Sequence, residues 1–209
     1  MKAKRIPLGD AMQGVLEAAK LLNAGKLVAF PTDTVYGLGA CLGLSEAVQA
    51  LYTAKGRPEN RPIPVLVASV EDARKLAKAV PESAEKLFKA FFPGPLTVVL
   101  PAVEWIPSEI TAGTGSVGVR MPNSQAALEL IRLCGGALAV TSANLSGHTE
   151  ATTADEVLRQ IGDRIDAVLD GGKCPGGVPS TVVDLTVDPP AILRKGALPP
   201  EHVMRLLSE

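Results

Sequence analysis

The stretch KGRPENRP, residues 55–62, places three cations, Lys55, Arg57 and Arg61, within eight residues. Gly56, Pro58 and Pro62 prevent it from continuing as a helix. The chain as a whole has a net charge of −1, so the cluster does not reflect general basicity. Cations on a stiff, irregular segment suit an anionic ligand. Lysine offers a compact charge to phosphate oxygens, and arginine a planar fork that donates two parallel hydrogen bonds. Further polar groups follow apolar runs elsewhere. Thr32 and Thr34 stand in PTDTVYGLG, where Gly37 and Gly39 permit close backbone approach by a ligand. Ser142, Asn144 and Ser146 stand in TSANLSG, Ser180 and Thr181 in PSTVVD, Arg194 in LRKG and Arg120 in VRMP.

Each group also has an ordinary reading. Lys55 or Arg61 alone is most simply a solvated charge. Thr32 and Thr34 could close a turn, and Ser142 and Asn144 could cap one. Arg120 could belong to a structural ion pair. Only convergence on one site separates these readings.

The elements that must position these groups follow from periodicity. DAMQGVLEAAKLLNAG reads as a helix with Asp10 and Gln13 as a capping box and Met12, Val15, Leu16, Ala19 and Leu22 on one face. SEAVQALYTAKG reads as a helix capped by Ser45 and ended at Gly56. KLVAFP, PVLVAS, PLTVVLP, SVGVRMP, ALAVTS, IDAVLDGG, STVVDLT and AILRKG read as strands, and residues 31–43 as a loop. The tally is about seven or eight strands, with helices between them. Apolar strands alternating with helices imply an α/β fold, and the hairpin-like STVVDLTVDPPAILRKG makes the sheet mixed. No composition shift or repeat divides the chain, so residues 1–209 are expected to form one domain. Ligands of such sheets gather beyond strand ends, which is where these hydroxyls and arginines fall.

Composition narrows the classes. Hydrophobic residues make up 46% and aromatics only 3%. The balanced charge argues against a general nucleic-acid binder. Cys41, Cys134 and Cys174 have no C-x-x-C spacing, and with only His148 and His202 beside them no zinc site is readable. Reduced thiols, no signal-peptide core and no membrane-length apolar run point to a cytoplasmic protein. GTGSVG matches the dinucleotide-binding G-x-G-x-x-G pattern but runs into a strand rather than a helix. DGGKCPGG is not a Walker A loop, and no G-x-S-x-G elbow exists.

Seven segments, PTDTVYGLG, KGRPENRPIPVLV, FFPGPLTVVL, VGVRMP, TSANLSG, PSTVVDL and ILRKG, occur in the order found in threonylcarbamoyl-AMP synthases, the YrdC-like family. The resemblance runs from about residue 8 to about residue 207. It implies a twisted mixed sheet with flanking helices around a concave basic cavity. It also implies an enzyme, a nucleotidyltransferase, that converts L-threonine, bicarbonate or CO2, and ATP with Mg2+ into threonylcarbamoyl-AMP and pyrophosphate. That product would supply threonylcarbamoyl-transferase proteins acting on tRNA. Carried over by position, Thr34, Arg120, Ser180 and the backbone near Val140 resemble the L-threonine contacts. Lys55, Arg57, Arg61, Ser116, Ser142, Asn144 and Arg194 resemble the ATP contacts, with Lys55 and Arg57 catalytic by electrostatics. No side chain is assigned as a direct metal ligand. Asp33 and Asp184 are candidates, with water-mediated binding to the phosphates as the alternative.

The sequence also departs from the family. Leu66 stands where many members carry a histidine. Longer members carry a C-terminal domain over the site, so this chain is expected to be the short form, with residues 145–153 or the N-terminal segment as a lid. Two other classes stay open: an RNA-binding module contacting tRNA, and a non-catalytic threonine or nucleotide sensor. A related carbamoyl-transfer domain is disfavoured by the lack of zinc-binding cysteines.

Overall fold

The structure, a computed structural model, describes residues 2–9 and 12–208, so the expected cap at Asp10 lies outside the described residues. A ten-stranded mixed sheet organises the chain. In spatial order the strands are β1 (Lys4–Pro7), β8 (Ala167–Asp170), β2 (Val28–Phe30), β3 (Gly37–Cys41), β7 (Ala137–Ser142), β4 (Val65–Val67), β6 (Ser116–Arg120), β5 (Leu96–Pro101), β9 (Thr181–Asp184) and β10 (Ala191–Arg194). β8 pairs in parallel with β1 and β2, β4 with β6, and β5 with β9; the remaining pairs are antiparallel.

Side-chain alternation gives the sheet two different faces. Leu96, Val98 and Leu100 of β5, Val117 and Val119 of β6, and Val65 and Val67 of β4 enter one large core. Six helices contribute to that core: α2 (Ser45–Lys55), α3 (Val70–Lys75), α4 (Glu82–Phe91), α5 (Ser108–Thr111), α7 (Ala154–Ile161) and α8 (Pro200–Ser208). The second face is covered by two helices, α1 (Met12–Asn23) and α6 (Gln125–Leu133), which pack over Ile6, Val28, Phe30, Leu138 and Val140. Beyond them the alternate positions of β4, β5, β6, β7 and β9 line a cavity. The period of two thus places an aliphatic core on one side of a strand and the cavity floor on the other.

Several expectations need correction. On α1 the buried face is Gly14, Val15, Ala18, Ala19 and Leu22, whereas Met12 and Leu16 are exposed. Ser45 is the first residue of α2, not its cap; Leu44 precedes it without a side-chain capping bond. β1, β3 and α5 were not expected. β1 has only Ile6 buried, so its sequence KRIP shows little apolar pattern. β3 lies inside the stretch read as a loop, because two glycines in GLGAC argue against a strand. Both are there for packing: a Cβ at Gly39 would lie 2.8 Å from Phe30 Cε1, and one at Gly37 2.8 Å from Val140 Cγ1. Gly39 therefore accommodates Phe30 rather than a ligand.

Among the described residues no helix is long and apolar enough to cross a membrane.

Candidate functional site

α2 delivers the basic segment. Gly56 ends the helix in the left-handed conformation at φ 60°, and the N–H of Arg57 donates to Tyr52 O at 2.9 Å. This turn leaves Lys55 pointing inward while the chain departs with Arg57. The departing loop is stapled down: the Tyr52 hydroxyl lies 2.6 Å from Glu109 O and 3.0 Å from Arg61 O. Arg57 folds back on the same loop, donating from Nε to Arg61 O at 3.2 Å and from Nη2 to Pro62 O at 2.7 Å. With five donors on a guanidinium, three remain for a ligand. Arg61 makes no side-chain hydrogen bond or ion pair with the described residues and lines the cavity.

Lys55 is 3% exposed, and its ammonium is already engaged. Nζ donates to Ser142 O, to Asn144 O at 2.7 Å and to Asn144 Oδ1 at 2.9 Å. An ammonium has three donors, so Lys55 ties α2 to the TSAN segment at the end of β7. Burial pushes its pKa down to about 8, with Glu150 opposing the fall and Arg57 adding to it. Asn144 in turn donates from Nδ2 to His148 O at 2.7 Å, which makes a continuous chain from α2 through 144 to 148.

A second cluster centres on Arg120, at the end of β6. Its Nε donates to Gly94 O at 3.0 Å, Nη1 to Thr34 Oγ1 at 3.0 Å, and Nη2 to Asp33 Oδ1 at 2.6 Å. The Arg120–Asp33 pair is largely buried, with side chains 8% and 13% exposed. Burial lowers the Arg120 pKa and the Asp33 charge opposes that. Two of its five donors stay free. The Thr34 hydroxyl has a fixed direction. Thr32 Oγ1 spends its proton on Val35 O at 2.7 Å, so Thr34 donates to Thr32 Oγ1 at 3.0 Å and accepts from Arg120. Asp33 does not line the cavity and serves to hold the arginine.

The third cluster joins β5, β9 and β10. Ser180 Oγ lies 2.8 Å from Thr97 Oγ1 and accepts from Arg194 Nη2 at 3.0 Å, while Ser180 O accepts from Arg194 Nε at 2.9 Å. At the rim, Thr114 Oγ1 donates to Thr111 O at 2.7 Å, so Ser116 donates to Thr114 at 2.9 Å. Gly118 completes the floor: a Cβ there would meet Thr97 Cγ2 at 3.1 Å and project into the space above the sheet. Leu66 and Val140 supply apolar floor positions, and Val140 N donates to Pro64 O at 2.9 Å.

All eleven residues that the resemblance assigns to L-threonine or ATP line one cavity of about 840 Å³, whereas Thr181, Asp33 and Gly39 do not. That volume is in the upper part of the range of about 300–1,000 Å³ for small-molecule sites. Its lining holds five basic side chains (Lys55, Arg57, Arg61, Arg120 and Arg194) and two carboxylates, Glu150 and Asp184. Sequence reasoning missed Thr97, Gly118 and Glu150. Thr97 had a signal, as the one polar residue in LTVVLP; Glu150 had none.

Both segments expected as lids carry hydrogen bonds to the rest of the fold. β1 is paired in register with β8. The 143–153 loop is tied by Ala143 N to Tyr36 O at 2.8 Å, Tyr36 N to Ala151 O at 2.8 Å, Ser146 N to Lys55 O at 3.0 Å, and Gln160 Nε2 to Thr149 O at 2.9 Å.

A mixed sheet that carries an arginine-lined cavity on one face defines an α/β protein with a candidate small-molecule site. The model of the Sua5/YciO/YrdC family, described as "Telomere recombination", matches residues 20–196. Two proteins named threonylcarbamoyl-AMP synthase are similar along most of the chain. The one from Pyrococcus abyssi is 47% identical over 92% of this chain and 56% of its own length; the one from Bacillus subtilis is 42% identical over 90% and 55%. The chain thus spans about half the length of these curated relatives. A crystal structure of P. abyssi Sua5 complexed with L-threonine superposes with a TM-score of 0.94 at 44% identity, covering 100% of this chain and 62% of that one. The chain belongs to the Sua5/YciO/YrdC family.

Proposed function

We propose that this chain is a nucleotidyltransferase, a threonylcarbamoyl-AMP synthase acting on L-threonine, bicarbonate or CO2, and ATP, and that residues 1–209 act as one catalytic domain. The observation that carries this reading is the convergence of eleven polar and cavity-floor residues, from well-separated segments, on one cavity with more cations than carboxylates. The likeness to a Sua5 structure complexed with L-threonine supports it.

The chemistry joins two anions. The threonine amine adds to bicarbonate or CO2 to give a carbamate, with water or a proton released. A carbamate oxygen then forms a bond to the α-phosphorus of ATP as the bond to the bridging oxygen breaks and pyrophosphate leaves. Catalysis of such a transfer is mainly positioning and charge stabilisation. The two free donors of Arg120, beside the Thr34 hydroxyl, suit the threonine carboxylate. Ser180, held by Thr97 and Arg194, faces the same end. The free donors of Arg57 and Arg61 suit the triphosphate, and Arg194 and Ser116 flank it. Lys55 acts by fixing Ser142 and Asn144 toward the nucleotide and by its own charge. Mg2+, bound with the triphosphate, would neutralise charge on its oxygens; the cavity fits it by offering Glu150 and Asp184, and Glu150 Oε2 is buried without a partner. The product would pass to threonylcarbamoyl-transferase proteins acting on tRNA, in the cytoplasm, where the free thiols of Cys41, Cys134 and Cys174 stay reduced.

Mass spectrometry of a mixture of protein, MgATP, L-threonine and bicarbonate tests this directly. The expected species is threonylcarbamoyl-AMP, heavier by one mass unit when carbon-13 bicarbonate is used. Its absence while both threonine and ATP bind would overturn the assignment.

A further inference from the structure

One acidic side chain in the cavity makes no contact that explains it. Glu150 lines the cavity, forms no side-chain hydrogen bond or ion pair with the described residues, and has its Oε2 buried without a partner. It shares the cavity lining with Lys55 and Arg194, and its charge opposes the fall that burial causes in the pKa of each. The loop that carries it is fixed on either side. Gln160 Nε2 donates to Thr149 O at 2.9 Å, Tyr36 N to Ala151 O at 2.8 Å, and Thr152 N to Glu156 Oε2 at 2.6 Å.

A buried carboxylate oxygen with no donor is costly, and Glu150 is half-buried, with its Oε2 unpaired at the cavity wall. A ligand in the cavity can supply the partner. Phosphate oxygens cannot, because they are acceptors of the same charge. A divalent cation can, and Mg2+ is commonly held by one or two carboxylates together with substrate phosphates and water. The other acid of the lining is less suited, since Asp184 Oδ1 already accepts from Thr186 N at 2.8 Å and Thr186 Oγ1 at 2.6 Å. Among the described residues no three acidic, cysteine or histidine side chains gather into a metal site. A cation here would therefore be held jointly with the nucleotide.

We propose that Glu150 is the protein's ligand, direct or through one water, for the divalent cation that accompanies the triphosphate, and that it makes the cavity select metal-bound over metal-free nucleotide. This rests on the reading that the cavity takes ATP. Without the cation, Glu150 repels the phosphates; with it, the repulsion becomes a bridge.

The test is calorimetric titration with a non-hydrolysable ATP analogue, without threonine, in Mg2+ and in EDTA. Wild type is compared with Glu150→Gln, which keeps the shape and removes the charge. In wild type Mg2+ should tighten binding by about tenfold or more. In the variant that enhancement should shrink by about tenfold, with metal-free analogue binding more tightly than to wild type. Mn2+ paramagnetic resonance with the analogue present should show weaker Mn2+ binding in the variant, and unchanged L-threonine affinity would show an intact fold. The same Mg2+ enhancement in both proteins would overturn the proposal. So would an unchanged enhancement with lost discrimination against the 2′-deoxy analogue, which would assign Glu150 to the ribose. Wild type that binds no analogue in either buffer would refute the ATP reading itself.

Discussion

Replacing Lys55 by methionine keeps the apolar stem and deletes the ammonium. Three acceptors then lose their donor: Ser142 O, Asn144 O and Asn144 Oδ1. Each buried acceptor left unpaired costs about 1–3 kcal/mol. The costs do not simply add, because the acceptors share one loop and water from the adjoining cavity can reach part of it. The substitution also removes the burial cost of the ammonium, visible in its depressed pKa of about 8. The expected net loss is about 2–4 kcal/mol of unfolding free energy. Urea unfolding followed by circular dichroism measures it, and a double-mutant cycle with Asn144→Ala isolates the tie. A coupling of about 1–3 kcal/mol is expected. If Lys55 served only as a phosphate contact, stability would hold or rise and ATP affinity alone would fall. Unchanged stability with a coupling below about 0.5 kcal/mol would refute the structural role.

Other perturbations follow from the same geometry. Arg120→Lys keeps the charge but loses the fork, so calorimetry should show L-threonine binding weakened by about tenfold or more while the ATP analogue binds as before. Gly118→Val adds a side chain to the cavity floor, with its Cβ 3.1 Å from Thr97 Cγ2; threonine and nucleotide affinity should both fall, and the tight contact should cost about 1–3 kcal/mol of unfolding free energy. The Lys55 ammonium is charged below a pKa of about 8 and loses its charge as pH rises through it. ATP-analogue affinity should therefore decline between roughly pH 7 and 9, and that decline should be absent in Lys55→Met.

The strands rich in branched aliphatic residues, such as PLTVVLP and ALAVTS, were legible because their periodicity is strong. β1 and β3 were not. One buries a single apolar residue, and the other uses glycines whose reason lies in Phe30 and Val140, side chains of other strands. Legibility of the site followed a similar divide. Polar residues after apolar strands marked the segments, and all eleven residues that the resemblance assigned to a ligand met in one cavity. What they do to one another was hidden. The partners of Lys55 lie 87 to 89 residues away, and the Asp33–Arg120 pair spans 87. The hydroxyl of Thr97 found its purpose only once β9 was placed beside β5. Contacts this distant depend on sheet order, which local pattern does not encode.

Under the proposed function, one cavity brings an ATP triphosphate and a threonine-derived carbamate together. The most direct measurement is pyrophosphate release from MgATP, with L-threonine and bicarbonate each omitted in turn. Release that requires both is the predicted result. Release that needs neither would mean plain ATP hydrolysis, and would contradict the account.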